Sequence, residues 1–348
     1  MAEIAIRVEG RAGRITLTRP TALNALSYAM CLAVDDALKA WQDDPQVVLV
    51  VIDAEGDRAF CAGGDIAQMY ATGTAGDYAY GQRFWADEYR MNDRIGGYAK
   101  PVVTFLQGFT MGGGVGLGCH ASHRIVGETA QVAMPECGIG LIPDVGGSRL
   151  LARAPGRLGA YLGTTGARMG PGDAIRSGFA DHYLPEALWA DMKSTLATTG
   201  DATLITKYAR TPPHAPLADL QAEIDAHFAA PTLDAIVSGL AGSGSAFAKA
   251  TLKALSHASP LAAACAIEMQ RRLGPTASLR QALALEYRFT FRALQHSDFL
   301  EGIRAAIIDR DRRPHWRHGS AAEVTMAEIT AMLAPLGGDE LTFPKESP

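Results

Sequence analysis

Residues 4–8 and 14–17 alternate apolar and polar side chains, the period of a half-buried strand, and the turn Arg11-Ala12-Gly13 between them predicts an opening hairpin. Ser27 predicts an N-cap, and Leu32, Val34, Leu38 and Trp41 recur near helical spacing over 30–41, where a first helix is expected. The runs 47–52 and 102–106 are continuous and rich in β-branched residues, as strands buried on both faces are. Between them, 84–94 carries charged and aromatic residues at helical spacing and ends near Gly96-Gly97, which predicts a helix over the sheet. A further helix is expected over 115–120, starting from the glycines before it, and a strand over 124–126. Strand and helix alternate, so the predicted class is α/β. Beyond Tyr183 the strand signals fade. Pro212-Pro213 and 239–245 have the composition of loops or linkers, whereas 246–257, 260–273 and 278–294 have helical periodicity, with Pro260 in a first turn.

Composition narrows the classes without naming a function. A chain of 348 residues, 48% hydrophobic and 20% charged, is long enough for a full core and is neither disordered nor fibrous in type. The formal net charge of −5 provides no basic footprint, which argues against nucleic acid as a partner. Cys31, Cys61, Cys119, Cys137 and Cys265 are scattered and form no C-x-x-C pair, which predicts a reducing, cytoplasmic compartment. Glu3 and Glu9 stand where a leader would be apolar, so neither a secretory signal nor a transit peptide is expected, and no apolar run reaches membrane-spanning length.

Three segments carry the candidate chemistry. Gly63-Gly64 and Met111-Gly112-Gly113-Gly114 each follow a buried strand, and two backbone N–H groups from such turns can converge on one carbonyl oxygen. A single glycine-rich turn is more often only a tight turn. The third segment places Glu136 and Asp144 eight residues apart, across an apolar loop able to fold back and bring both carboxylates to one pocket. Apolar surroundings raise a carboxyl pKa and suit it to acid–base work, whereas a loop acid in solvent stays ionised and inert. No register of 112–118 satisfies G-x-G-x-x-G, no G-x-x-x-x-G-K-[ST] occurs, and Gly146-Gly147-Ser148-Arg149 does not supply G-x-S-x-G. Dinucleotide, P-loop and serine-nucleophile chemistries are therefore set aside.

Other groups keep two readings. His120 and His123 in Cys119-His120-Ala121-Ser122-His123 lack a third ligand nearby and are structural more often than metal-binding. Glu88 sits on a predicted helix, where most acids face solvent. The segment from His296 to Trp316 holds a basic cluster, Arg310-Asp311-Arg312-Arg313, that either meets phosphates or forms a solvated face with Trp316 tucked beneath it.

Arg19-Pro20, Leu23-Asn24-Ala25-Leu26, Phe60-Cys61-Ala62-Gly63-Gly64-Asp65-Ile66, Met111 to Gly114 and Pro135-Glu136 together resemble the enoyl-CoA hydratase/isomerase, or crotonase, superfamily. Gly140-Leu141-Ile142-Pro143-Asp144-Val145-Gly146-Gly147, and Asp298-Phe299-Leu300-Glu301-Gly302-Ile303-Arg304-Ala305 near the end, resemble its 3-hydroxyisobutyryl-CoA hydrolase branch. Hydratases of the superfamily carry a catalytic glutamate two residues after the last glycine of the triplet; here that position is Gly116. The resemblance implies a spiral of β-β-α units, with a core over 1–190 that carries the active site. A mainly helical region over 191–348 would cover the site and contribute contacts in a homo-oligomer. Carried over residue by residue, it implies an oxyanion hole from the Gly64 and Gly113 amides, a catalytic pair of Glu136 and Asp144, and a substrate contact at Glu88. The implied substrate is a short branched 3-hydroxyacyl thioester of coenzyme A, hydrolysed in valine catabolism without metal or redox cofactor. The alternatives are an enoyl-CoA hydratase or isomerase, which Gly116 opposes, and a non-catalytic acyl-CoA binder, which has no need of both acids.

Overall fold

The computed structural model describes residues 2–344. They form two compact units, the first from 2–65, 87–133 and 168–216, the second from 66–86, 134–167 and 217–344. Each unit is assembled from three separated stretches, so the boundary expected at residue 190 does not separate one from the other.

Nine strands lie in the first unit: β1 (Ile4–Glu9), β2 (Ala12–Leu17), β3 (Leu49–Ala54), β4 (Ala59–Cys61), β5 (Val102–Leu106), β6 (Phe109–Met111), β7 (His123–Val126), β8 (Gln131–Ala133) and β9 (His182–Tyr183). The opening hairpin is present, with Ile4 opposite Leu17 and Glu9 opposite Ala12. Its turn is Gly10-Arg11 rather than 11–13, because Gly10 at φ +59 allows a two-residue connection that other residues resist. From β2 the large sheet continues in parallel through β3, β5, β7 and β9. Leu49, Val51, Val103, Phe105 and Ile125 pack on one face against Trp189, Met192 and Leu196 of the helix Trp189–Thr199. Val50, Ile52, Val102 and Leu106 on the opposite face are buried as well, so β3 and β5 read as nearly continuous apolar runs in sequence.

Strands β4, β6 and β8 form a separate three-stranded parallel sheet that the hydrophobic pattern does not reveal. Each has only three residues, too few to establish a period. The pairs β3-β4, β5-β6 and β7-β8 each give one strand to the large sheet and the next to the small one, and helical turns follow each pair. This is the β-β-α spiral that the family resemblance implies.

Helix α1 (Tyr28–Trp41) begins as expected, with Ser27 Oγ accepting from the Met30 N–H at 3.2 Å. Its buried stripe runs through Met30, Val34, Leu38 and Trp41, and Leu32 lies outside it. Helix α2 (Ala67–Thr74) belongs to the second unit, and α3 (Ala79–Gly96) starts five residues before the predicted 84. Helix α4 (Gly113–Gly118) starts at the glycine turn, and α5 (Gly147–Arg153) follows Asp144 in the second unit.

The rest of the second unit is helical. Ser245, Ser259 and Ser278 cap Ala246–Leu255, Pro260–Leu273 and Leu279–His296 through their side-chain oxygens. The linker expected over 239–245 is instead largely helix: Leu233–Ser243 runs through Gly239 and Gly242 and stops at Gly244, φ +66. Leu233, Ile236 and Leu240 are buried at helical spacing, and that burial outweighs the roughly 1 kcal/mol that each interior glycine costs. Pro212-Pro213 is non-helical, as expected. Among the described residues no helix is long and apolar enough to cross a membrane.

Candidate active site

Because β4 and β6 are parallel neighbours, the chain leaves both at the same edge of the small sheet. The turns Gly63-Gly64 and Gly112-Gly113-Gly114 follow those ends, so short strands of the small sheet lie between each turn and the longer buried strand read from the sequence. Gly63 at φ +124 and Gly112 at φ +49 take conformations closed to most side chains. The first turn is strapped to the Leu23-Asn24-Ala25-Leu26 segment: Ala62 N–H donates to Leu23 O at 3.0 Å, Leu26 N–H to Gly63 O at 2.9 Å, and Asp65 N–H to Leu26 O at 2.8 Å. Asn24 is fully buried; its amide donates to the Glu55 and Ala59 carbonyls and its oxygen accepts from the Arg19 N–H, each at 2.9 Å. Arg19 in turn donates to Asp65 at 2.9 Å. The early motif is thus a brace for the glycine turn.

Among the described residues neither the Gly64 nor the Gly113 N–H has a backbone acceptor. A Cβ at Gly114 would lie 2.1 Å from the Cys61 carbonyl oxygen, so that position admits no side chain. A Cβ at Gly113 would lie 3.2 Å from the Gly64 nitrogen and 2.9 Å from Glu88 Oε1. Gly64, Gly113 and Glu88 are therefore brought together. Glu88, on α3, is 4% exposed, so it is not the solvent-facing acid that its helix suggests. Burial, with Glu88 adding, pushes the Cys61 thiol up to about 12.

Glu136 and Asp144 lie in the second unit, 5% and 4% exposed, which removes the reading of solvated loop acids. Glu136 opens the 3-10 turn Glu136–Ile139, closed by Gly140 at φ +75 and by the Leu141 N–H donating to Glu136 O at 3.1 Å. The C-terminal signature holds this turn. A Cβ on Gly302 would lie 2.1 Å from the Ile139 carbonyl oxygen, and one on Gly140 would lie 2.5 Å from the Asp298 backbone. Asp298 accepts from the Ser259 hydroxyl at 2.5 Å, and the Ser259 N–H donates to Cys137 O at 2.8 Å. Asp144 begins a second tight turn, with the Gly147 N–H donating to its carbonyl at 2.7 Å. Within electrostatic reach of it is Glu286, a fully buried acid that the sequence reading passes over, because an acid inside a helical pattern looks like a surface group.

The remaining candidates have structural surroundings. His123 stacks on His182 with ring centroids 6.3 Å apart, and burial, with His182, lowers its pKa. No cluster able to hold a metal ion occurs among the described residues. In the basic segment, Arg304 is bracketed by Glu301 at 2.8 Å, Asp309 at 2.5 Å and Asp311 at 2.9 Å, while Arg310, Arg312 and Arg313 are exposed and Trp316 is half-buried.

The model of the family described as enoyl-CoA hydratase/isomerase matches residues 12–333. The curated protein named 3-hydroxyisobutyryl-CoA hydrolase, mitochondrial, of Xenopus tropicalis is 38% identical over 343 residues, 95% of this chain and 89% of that protein. A crystal structure of an enoyl-CoA hydratase from Rhodobacter sphaeroides 2.4.1 is 59% identical with a TM-score of 0.96, over 98% of this chain and 100% of the other. That of a carnitinyl-CoA dehydratase from Mycobacterium thermoresistibile is 40% identical with a TM-score of 0.94, over 99% and 100%. The mitochondrial designation of the curated relatives overturns the cytoplasmic placement drawn from the cysteines. All five thiols are free and buried, and buried thiols do not distinguish one reducing compartment from another. With the family match spanning both glycine turns and both acids, the chain belongs to the enoyl-CoA hydratase/isomerase, or crotonase, family.

Proposed function

We propose that the protein hydrolyses a short branched 3-hydroxyacyl-CoA thioester, 3-hydroxyisobutyryl-CoA, to 3-hydroxyisobutyrate and coenzyme A. The observation that carries this reading is Gly116. Where a hydratase has its first glutamate, this chain has a fully buried glycine inside α4, while it keeps buried acids at 136 and 144. The curated relatives named for this hydrolysis support it over nearly the whole chain.

In the proposed reaction the thioester carbonyl oxygen accepts from the Gly64 and Gly113 amides, each donor stabilising the tetrahedral oxyanion by about 3 kcal/mol. Glu136 either takes a proton from the attacking water or attacks the carbonyl carbon itself to form an anhydride that water then opens. In both routes the C–S bond breaks, the thiolate leaves and takes a proton, and water supplies one oxygen, either directly to the acid product or to Glu136 in place of the oxygen the carboxylate has given up. Asp144 orients the water or the substrate hydroxyl, and Glu88 accepts a hydrogen bond from that hydroxyl, selecting against acyl groups that lack it. Coenzyme A enters as part of the substrate, and the reaction as written needs no other cofactor.

The solved structure named as an enoyl-CoA hydratase favours a second reading, water addition to an enoyl-CoA. One assay separates the two. Purified protein is given 3-hydroxyisobutyryl-CoA and crotonyl-CoA while free thiol and enoyl absorbance are followed, with Glu136→Gln as control. Thiol release lost in the variant is expected; enoyl loss without thiol release establishes the second reading instead.

A further inference from the structure

Glu286 is an acid the proposed reaction does not use, and it is 0% exposed. It projects from the helix Leu279–His296 onto the turn that follows Asp144. One carboxylate oxygen accepts from the Gly146 N–H at 2.7 Å; the other accepts from the Ser148 N–H at 3.1 Å and from the Ser148 hydroxyl. Gly146, the N-cap of α5, has no side chain to serve its first amides, so Glu286 supplies that acceptor from 140 residues away in sequence.

The turn it grips is strained. Asp144 is the first residue of a four-residue turn closed by the Gly147 N–H, with Val145 at φ +53 and Gly146 at φ +78, which is the type I′ arrangement. Glycine takes the second of these positions easily. A β-branched residue at the first is disfavoured and persists only where surrounding structure holds it. Val145 is 1% exposed, and the three bonds donated to Glu286 clamp Gly146 and Ser148, one and three residues after the strained one.

We propose that Glu286 is the positioning residue of Asp144: by clamping Gly146 and Ser148 it holds the left-handed turn at Val145 and thereby fixes the direction of the Asp144 carboxylate. This rests on the reading of Asp144 as a member of the catalytic pair. A buried acid that served only the stability of α5 would have the same contacts but no specific link to Asp144.

The test compares Glu286→Gln, Asp144→Asn and the double variant in the full chain, by steady-state kinetics with 3-hydroxyisobutyryl-CoA and by thermal melting. The expected result is a fall in kcat of about 10- to 100-fold for Glu286→Gln with KM within about twofold, the size that a small misplacement of a reacting group produces. In the Asp144→Asn background the same change is expected to lower kcat by less than about twofold, because there is no carboxylate left to position. An unchanged kcat for Glu286→Gln, or an equal fall in both backgrounds, overturns the proposal while leaving Asp144 as a catalytic group. A wild-type kcat for Asp144→Asn overturns the catalytic pair itself, and this inference with it. Should Glu286→Gln melt below assay temperature, Ser148→Ala removes one of the three donors and carries the same comparison. Its kcat is expected to fall about threefold or more, only where Asp144 is present, and a wild-type kcat overturns the proposal.

Discussion

Gly113 and Glu88 approach so closely that a single methyl group on the glycine would lie 2.9 Å from the Glu88 carboxylate oxygen. The same methyl would lie 3.2 Å from the Gly64 nitrogen, so the absent side chain keeps open the space that the proposed reading gives to the thioester carbonyl. Gly113→Ala is expected to lower kcat by about 100-fold or more, the cost of losing one oxyanion donor, because the methyl group would screen the Gly64 N–H. Overpacking a buried position also destabilises by about 1–3 kcal/mol, so the rate is compared at a temperature where melting curves show both proteins folded. A kcat within threefold of wild type would show that the thioester carbonyl does not occupy the space beside Gly113.

Turnover in water enriched in oxygen-18 tests whether Glu136 is a nucleophile whose anhydride is opened at the enzyme's carbonyl. If the carboxylate is the nucleophile and water opens the anhydride at the enzyme's carbonyl, one labelled oxygen enters the Glu136 peptide in a single turnover. Direct attack by water labels only the product acid. Mass spectrometry of the peptide bearing Glu136 and of the released acid gives the answer, and label in neither would exclude both routes.

Asp53 is 1% exposed and accepts from Arg14 at 2.8 Å, Lys193 at 2.8 Å and Thr16 at 2.7 Å. Burial pushes its pKa up, but the two cations and three hydrogen bonds outweigh burial and the pKa ends below 3.8. Asp53→Ala leaves two cations facing each other in the first unit and is expected to cost about 3 kcal/mol, read as a lower urea midpoint. The stabilisation is present above pH 3.8 and is lost as pH falls through the depressed folded-state value, so the variant's deficit shrinks in acid. An equal deficit at pH 3 and pH 7 would contradict the charge origin.

For Glu286 the sign is opposite. Burial raises its pKa from 4.5 to about 8, Asp144 adding to the rise while the Ser148 and Gly146 donors oppose it. The folded chain therefore holds a proton that the unfolded chain releases. The resulting stability is complete below pH 4.5 and is lost as pH rises through about 8, at up to about 1.4 kcal/mol per unit. The Ser148 hydroxyl, able to donate or accept, serves both protonation states. Glu286→Gln is expected to flatten the decline in unfolding free energy between pH 5 and 8; parallel curves for the two proteins would show that Glu286 does not titrate there.

Much of the framework is legible in the chain because it depends on near neighbours. The strand over 102–106, the hairpin, the Ser27 cap of α1, the three C-terminal helices and the helix that starts at the glycine turn follow from periodicity and capping chemistry. The small sheet is not legible, since strands of three residues have no period to detect. Nor is the helix through Gly239 and Gly242, whose glycines imitate a linker while Ile236 and Leu240 are buried.

The family motifs and the glycine at 116 are properties of the sequence, and they determine the candidate residues and the reaction class proposed for them. Tertiary structure decided their circumstances. It buried Glu88, which the helical pattern leaves at the surface, and set Gly113 against it across the end of a sheet too short to read. It brought Glu286 to the turn of Asp144 from 286 − 144 = 142 residues away in sequence. Local pattern records which side of an element is apolar. The burial of a carboxylate and the hydrogen bonds that hold a left-handed valine depend on groups distant in the chain, and only the fold brings those groups together.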